Sequence, residues 1–117
     1  MRNFKNYDVW KMSHKLALKI YSETKSFPKE EIYGIISQLR RAAYSVPTNI
    51  SEGAGRSTDA QFANFIDIAL GSANEVEYLL LLSKDLEFLE KQTYLTLDKE
   101  VNLVKRSLYR LHQKLKQ

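Results

Sequence analysis

Ser45-Val46-Pro47-Thr48-Asn49-Ile50-Ser51-Glu52-Gly53 carries two patterns at once. Leading into it and through it, Ile32, Ile36, Leu39, Ala43, Val46 and Ile50 are spaced 4, 3, 4, 3 and 4 residues apart, the core stripe of one helix. Pro47 falls inside that stripe. It has no N–H for the Ala43 carbonyl and its ring crowds that carbonyl, so the helix is expected to kink there. A second row, Gln38, Ser45, Asn49 and Arg56, falls within about 40° on the helical wheel and more than about 100° from the apolar centre. A helix with an apolar stripe, a kink and a separate polar row has two partners to satisfy, and the polar row is expected to pair with Ser72 and Glu75, within one chain or across a subunit interface.

Helical patterns extend on both sides. Asp8 is the expected N-cap of a first helix with Val9, Met12, Leu16 and Ile20 as its stripe, widened by Ala17 and Thr24. Ser26-Phe27-Pro28 ends it, and Pro28 with Glu30 and Glu31 suits the start of the second helix. Gly53-Ala54-Gly55 is expected to close that helix in a left-handed conformation. Thr58-x-x-Gln61 reads as a capping box for a third helix striped by Phe62, Ile66, Ala69, Ala73, Val76 and Leu80. Phe65, Ile68, Leu79 and Leu82 widen its stripe, and small Gly71, Ser72 and Ala73 invite a close neighbour. After a turn within residues 85–92, Tyr94, Leu97, Val101, Val104, Leu108, Leu111 and Leu115 form a seam spaced 3, 4, 3, 4, 3 and 4. The expected fold is all-α: one domain over residues 1–117, an up-down-up-down four-helix bundle.

Composition narrows the function classes. Zero Cys among 117 residues excludes disulfides and thiolate metal sites. The first residues hold no apolar leader, and the longest apolar run, Tyr78 to Leu82, is far short of the roughly 20 residues of a membrane span. A cytoplasmic protein without membrane contact is expected. Net charge is +4, unevenly spread. Residues 1–29 hold seven Lys/Arg against two Asp/Glu, residues 30–100 six against twelve, and residues 101–117 five against none. Basic ends around an acidic middle suit either an anionic partner or pairing between outer and inner helices.

Catalytic chemistry is not legible. His14 and His112 have no ligand partner at helical spacing, and the Glu-x-x-His pattern of di-iron bundles does not occur. No nucleophile constellation or nucleotide-binding loop is present, so no enzyme, cofactor or metal is expected. Glu52 and Glu75 are read as hydrogen-bond acceptors rather than an acid–base pair: Glu52 toward nearby amides or Arg, Glu75 toward the polar row. Gly53 to Thr58 is read as a C-cap followed by an N-cap rather than a phosphate cradle. The basic stripes are more informative. Lys11, Lys15 and Lys25 lie opposite the first helix's core stripe. Lys99, Arg106, Arg110 and Lys114 fall within about 80° of one another on the fourth, opposite its seam. They are either solvated faces or a phosphate-contacting surface, with Leu103 set among the latter four.

The motifs also resemble a known family, the four-helix bundle proteins encoded in intervening sequences of 23S rRNA genes. The resemblance rests on Tyr21 to Pro28, Tyr33 to Ala43, Ser45 to Gly53 and Ala69 to Glu75, in that order and spacing. It reaches to about Leu89; the fourth helix is similar in pattern alone. The resemblance implies a homo-oligomer, a pentamer by analogy with related accessory proteins of diversity-generating retroelements, with affinity for RNA or DNA. It also marks Gln38, Arg41, Ser45, Asn49, Glu52, Arg56, Ser72 and Glu75 as a motif surface or oligomer interface. Two functions follow: a nucleic-acid-binding oligomer, or a structural module that binds a partner protein and no nucleic acid.

Overall fold

A computed structural model of the chain describes residues 2–117. Its helices are α1 (Asp8–Thr24), α2 (Ile35–Ala54), α3 (Asp59–Asp85) and α4 (Lys91–Leu115), with 3-10 turns at Phe4–Asn6 and Lys29–Glu31. No strand occurs among the described residues. Packing of α1 on α2, α2 on α3, α3 on α4 and α4 on α1 makes the four helices the sides of a square. Each neighbouring pair is antiparallel. Thr24 meets Arg40 near one end of the α1–α2 pair, while Trp10 and Ser51 line a groove toward the other. Ser45 meets Ser72, and Gly53 meets Phe62 and Phe65. Glu77 meets Asn102 and Lys105, and Lys84 lies over Tyr94. Lys19 meets Glu100, while Met12 and Val104 share a hollow. This is the expected up-down-up-down bundle. Its 43 Å long axis matches the roughly 40 Å rise of the 27-residue α3. No described helix is long and apolar enough to cross a membrane.

The stripes read from the sequence form the core. Ile20, Leu39, Ile50, Phe62, Ile66, Val76, Leu80, Val101 and Leu108 are all buried. Met12, Tyr94, Leu111 and Leu115 pack against that core from partly buried positions. Two stripe assignments are corrected. Ile32 is 47% exposed because α2 begins only at Ile35. Gly34 stands at φ −109° and ψ −117°, outside the helical region, and breaks the segment that follows Pro28. Glu31 Oε1 fills the space beside Gly34 that a Cβ would need, 2.6 Å from its position, and accepts from the Ile35 N–H at 3.4 Å. Ile68 faces outward and is 53% exposed, and Gly71 faces open space, so α3 is not covered on a second side there. At the start of α1, Tyr7 is the N-cap; Asp8 lies one residue inside, in the first turn, where its carboxylate favours the helix dipole. Pro47 is buried, and α2 is helical through it.

The two ends of the α2–α3–α4 connections use different devices. Gly55, the C-cap of α2, has φ −81°, and no glycine has positive φ among the described residues. The expected left-handed close is therefore absent there. It occurs instead at the end of α3, on Glu87 at φ 65°. The Phe88 N–H donates to the Ser83 carbonyl and the Glu87 N–H to the Lys84 carbonyl, both at 2.9 Å, the paired bonds of a Schellman motif. Glycine's lack of a side chain is used at Gly53. A Cβ there would sit 2.6 Å from Phe65 Cβ and 2.8 Å from Phe62 Cδ1.

Gly53→Ala should destabilise the protein by about 1–3 kcal/mol, since the clash falls on a Cβ and must be relieved by separating the helices. Urea unfolding monitored by circular dichroism measures this. Glu87→Gly should act in the opposite sense, by about 0.5–1 kcal/mol, because glycine removes the Cβ penalty at positive φ. A lower urea midpoint for Glu87→Gly would contradict the assignment of that strain.

Candidate functional site

Helices α1 and α4 lie side by side, so their outward cations share one flank of the bundle. The register is set by Lys19 Nζ donating to Glu100 Oε1 at 2.5 Å and by Lys15 lining a hollow with Leu103 and Val104. In this antiparallel register Lys11 is level with Leu108, beside Arg106 and Arg110, and Lys114 lies one turn further along α4. Lys25 and Lys99 fall toward the opposite end. The Lys19–Glu100 pair separates the two groups, so the seven cations form a larger and a smaller cluster. All seven are exposed, and none takes part in an ion pair among the described residues. Lys105 is different. Its Nζ donates to Glu77 Oε1 at 2.7 Å, and Asn102 Nδ2 donates to Glu77 Oε2 at 3.0 Å. The Lys105 hydrogen bond lowers the Glu77 pKa; burial opposes this, and Asn102 and the Lys105 charge add to it. Lys105 thus ties α4 to α3.

The motif surface divides. Ser45 Oγ and Ser72 Oγ are 2.8 Å apart, and Asn49 Nδ2 donates to Ser45 Oγ at 3.0 Å and to the Ser45 carbonyl at 2.8 Å. These three half-buried residues join α2 to α3 within one chain. Arg56 is exposed and lays its guanidinium over the Phe65 ring, 4.8 Å from the centroid. Gln38, Arg41, Glu52 and Glu75 are exposed, with no side-chain hydrogen bond among the described residues. The acceptor roles expected of Glu52 and Glu75 are therefore not made among the described residues. Around the glycine turn the capping reading holds: Thr58 Oγ1 accepts from the Gln61 N–H at 3.1 Å. Gln61 Oε1 does not close the reciprocal half of the box; it accepts from Ser57 Oγ at 3.2 Å. Arg2 clasps this turn, donating to the Arg56 carbonyl at 2.6 Å and to Asp59 Oδ1 at 2.5 Å.

One feature escaped the sequence reading. Between α1 and α2 runs an open groove, of about 380 Å³ in its main stretch, lined by Phe4, Trp10, His14, Tyr21 and Tyr44. Phe4 meets Trp10 edge-on at 5.0 Å, and Trp10 stacks on His14 with the rings 9° from parallel. Arg40 lies 4.7 Å over the Tyr21 ring and is held there by donating from Nε to Thr24 Oγ1 at 2.8 Å. The signal was available: Trp10, His14 and Tyr21 fall within about 40° on the wheel of α1. A mixed aromatic row is neither an apolar nor a basic stripe. Among the described residues no group of three or more His, Cys, Asp or Glu is placed to hold a metal ion.

The profile of the 23S rRNA-intervening sequence protein family matches residues 5–110, reaching well into α4, beyond where the motif resemblance ends. Among solved structures, a protein of unknown function of the S23 ribosomal protein family from Bacteroides thetaiotaomicron is similar at 26% identity. The match covers 90% of this chain and 95% of that one, with a TM-score of 0.83. No curated protein matches the chain.

The Ser45–Ser72–Asn49 cluster predicts a measurable cost. Ser45→Ala leaves the Ser72 hydroxyl and the Asn49 amide each short of a partner. At a half-buried site that water can reach, the loss should be about 0.5–1.5 kcal/mol in urea unfolding. Ser72→Ala made on the Ser45→Ala background should add little, because the two hydroxyls share one interaction.

Proposed function

We propose that this chain, which belongs to the 23S rRNA-intervening sequence protein family, is a non-catalytic, self-associating bundle that holds RNA or DNA by its phosphates. The observation that carries the reading is the set of unpaired cations on the adjoining faces of α1 and α4. Arg106, Arg110 and Lys114 follow the last carboxylate of the chain, Glu100, and Lys11 and Lys15 stand beside them. Long basic side chains on an outer helix face reach phosphates more readily than base edges, so binding has little sequence preference. Zero Cys suits a reducing cytoplasm.

Self-association is supported by the outer face of α3. Ile68 and Tyr78 are 53% and 59% exposed, on the same side as Glu75 and the open space at Gly71. A face of exposed apolar groups with a gap between them suits a second helix. The same face favours a second reading, in which the bundle docks a partner protein and its basic faces are only solvated.

Salt dependence separates the two. Wild type should bind RNA at low salt and weaken steeply as salt rises. The double variant Arg106→Glu with Arg110→Glu should bind more weakly, its log–log salt slope reduced by roughly 0.7–0.9 for each phosphate it no longer neutralises. Assembled wild type that binds neither RNA nor DNA at low salt would leave the protein-docking reading. Equal binding by wild type and the double variant would place the phosphate surface away from α4, with Arg40, Arg41 and Arg56 next to test.

A further inference from the structure

The residues lining the groove between α1 and α2 are not those of the phosphate-binding flank just described, although Lys11 and Lys25 border both. From Trp10 to Tyr21 it runs about 16 Å along α1. Its main stretch and the hollow beside Arg40 and Arg41 share Tyr21 and Tyr44, so the two join end to end. Its rings are open. His14 is exposed over Trp10, and Tyr21 and Tyr44 are 39% and 44% exposed. Aromatic side chains usually bury most of their surface, and rings left open offer their π-faces to a ligand.

Charge identifies the ligand. No carboxylate lines either stretch. Arg40 and Arg41 line the α2 bank. Lys11 and Lys25 stand on the α1 bank, within about 80° of the Trp10–His14–Tyr21 row. Cations on both banks of a ring-lined trough fit an anionic chain that carries flat apolar groups. A single nucleic-acid strand is such a chain: its bases stack on rings while its phosphates meet Lys and Arg. A duplex keeps its bases stacked against one another and has no free face to offer. An amphipathic helix fits less well, because it seats its apolar face in a hydrophobic groove and makes no use of two cationic banks.

The geometry points to the α1–α2 groove as a track for the unpaired bases of single-stranded RNA or DNA. This inference rests on the nucleic-acid reading above and sharpens it: cations on α1 and α4 hold the backbone, and the groove sets a preference for single strands over duplex. Lys11 belongs to both surfaces and links them. Arg40, fixed on Tyr21 by its bond to Thr24, holds that ring in place.

Trp10 is the sole tryptophan, so its fluorescence reports on the groove directly. The full chain is titrated with oligouridylate, oligothymidylate and a duplex of equal length at one ionic strength. Both single strands should quench Trp10 and bind at least about tenfold more tightly than the duplex. Tyr44→Ala should weaken single-strand binding about tenfold, with helicity and duplex affinity unchanged. Tyr44→Phe keeps the ring and should bind as wild type. Single strands that bind without quenching, and bind Tyr44→Ala as well as wild type, would overturn the groove while leaving the phosphate surface standing. If no nucleic acid binds at low salt, both readings fall. If Tyr44→Ala loses self-association but keeps its single-strand affinity, the groove seats a second copy and the inference is overturned in that direction.

Discussion

The approach of α2 to α3 at Gly53 is the constraint from which much of the remaining geometry follows. With no Cβ at that position, the backbone of α2 lies against Phe62 and Phe65. Phe62 is fully buried and becomes an anchor for the start of the chain. Tyr7 meets it edge-on at 5.6 Å, and the Arg2 guanidinium lies 5.1 Å from its centroid. From there Arg2 reaches the Arg56 carbonyl just past the end of α2, where the last carbonyls have no donor within the helix. Further along the same pair of helices, the spacing lets two serine hydroxyls meet directly and Asn49 close on Ser45.

Charge is organised by what the central pair leaves on the flanks. The acidic middle of the chain does not consume the basic ends. Two ion pairs cross between helices, Lys19–Glu100 and Lys105–Glu77, both partly exposed and therefore of small stabilising value. Their effect is on register: each places one rung of α4, against α1 and α3 respectively. The remaining α4 cations then point away from both neighbours because they lie opposite the Leu97–Leu108 seam. The positive potential they create is a surface property of the packed bundle, with a reach that salt shortens.

The aromatic row on α1 is a different kind of surface. A helix that faced only core and water would carry Leu or Ala toward the core and polar groups outward. Trp10, His14 and Tyr21 instead sit at the boundary with α2, where Arg40 and Tyr44 complete the lining. Stacking of Trp10 on His14 and of Arg40 on Tyr21 fixes the orientation of both rings and leaves them little rotamer freedom.

By itself the sequence determined the helices and the side each turns inward. Val9 to Thr24, Phe62 to Leu80 and Leu97 to Leu108 repeat at the helical period, and burying such stripes together has few solutions beyond a bundle. The Thr58 cap was legible for the same reason: it is an interaction between residues three apart. The misreadings involve distant segments meeting or backbone dihedrals. Ile32 continues the α2 stripe in spacing but lies outside the helix, because Gly34 leaves the helical region beside Glu31. Of the small residues Gly71, Ser72 and Ala73, Ser72 meets α2 and Ala73 is buried while Gly71 faces open space, and the glycine that a neighbouring helix meets is Gly53, since which small residue meets a neighbour depends on how two helices are rotated about their axes. Glu87, not a glycine, takes the left-handed close, because the Schellman bonds of α3 hold it there. That the polar row would meet Ser72 was legible; tertiary structure alone decided that Ser45 is the member that does so, that Glu52 and Glu75 make no side-chain hydrogen bond among the described residues, and that residues from α1 and α2 join into one ring-lined groove. A periodic pattern records which face of a helix is buried, whereas a site spanning two helices depends on their relative rotation and register, which only packing sets.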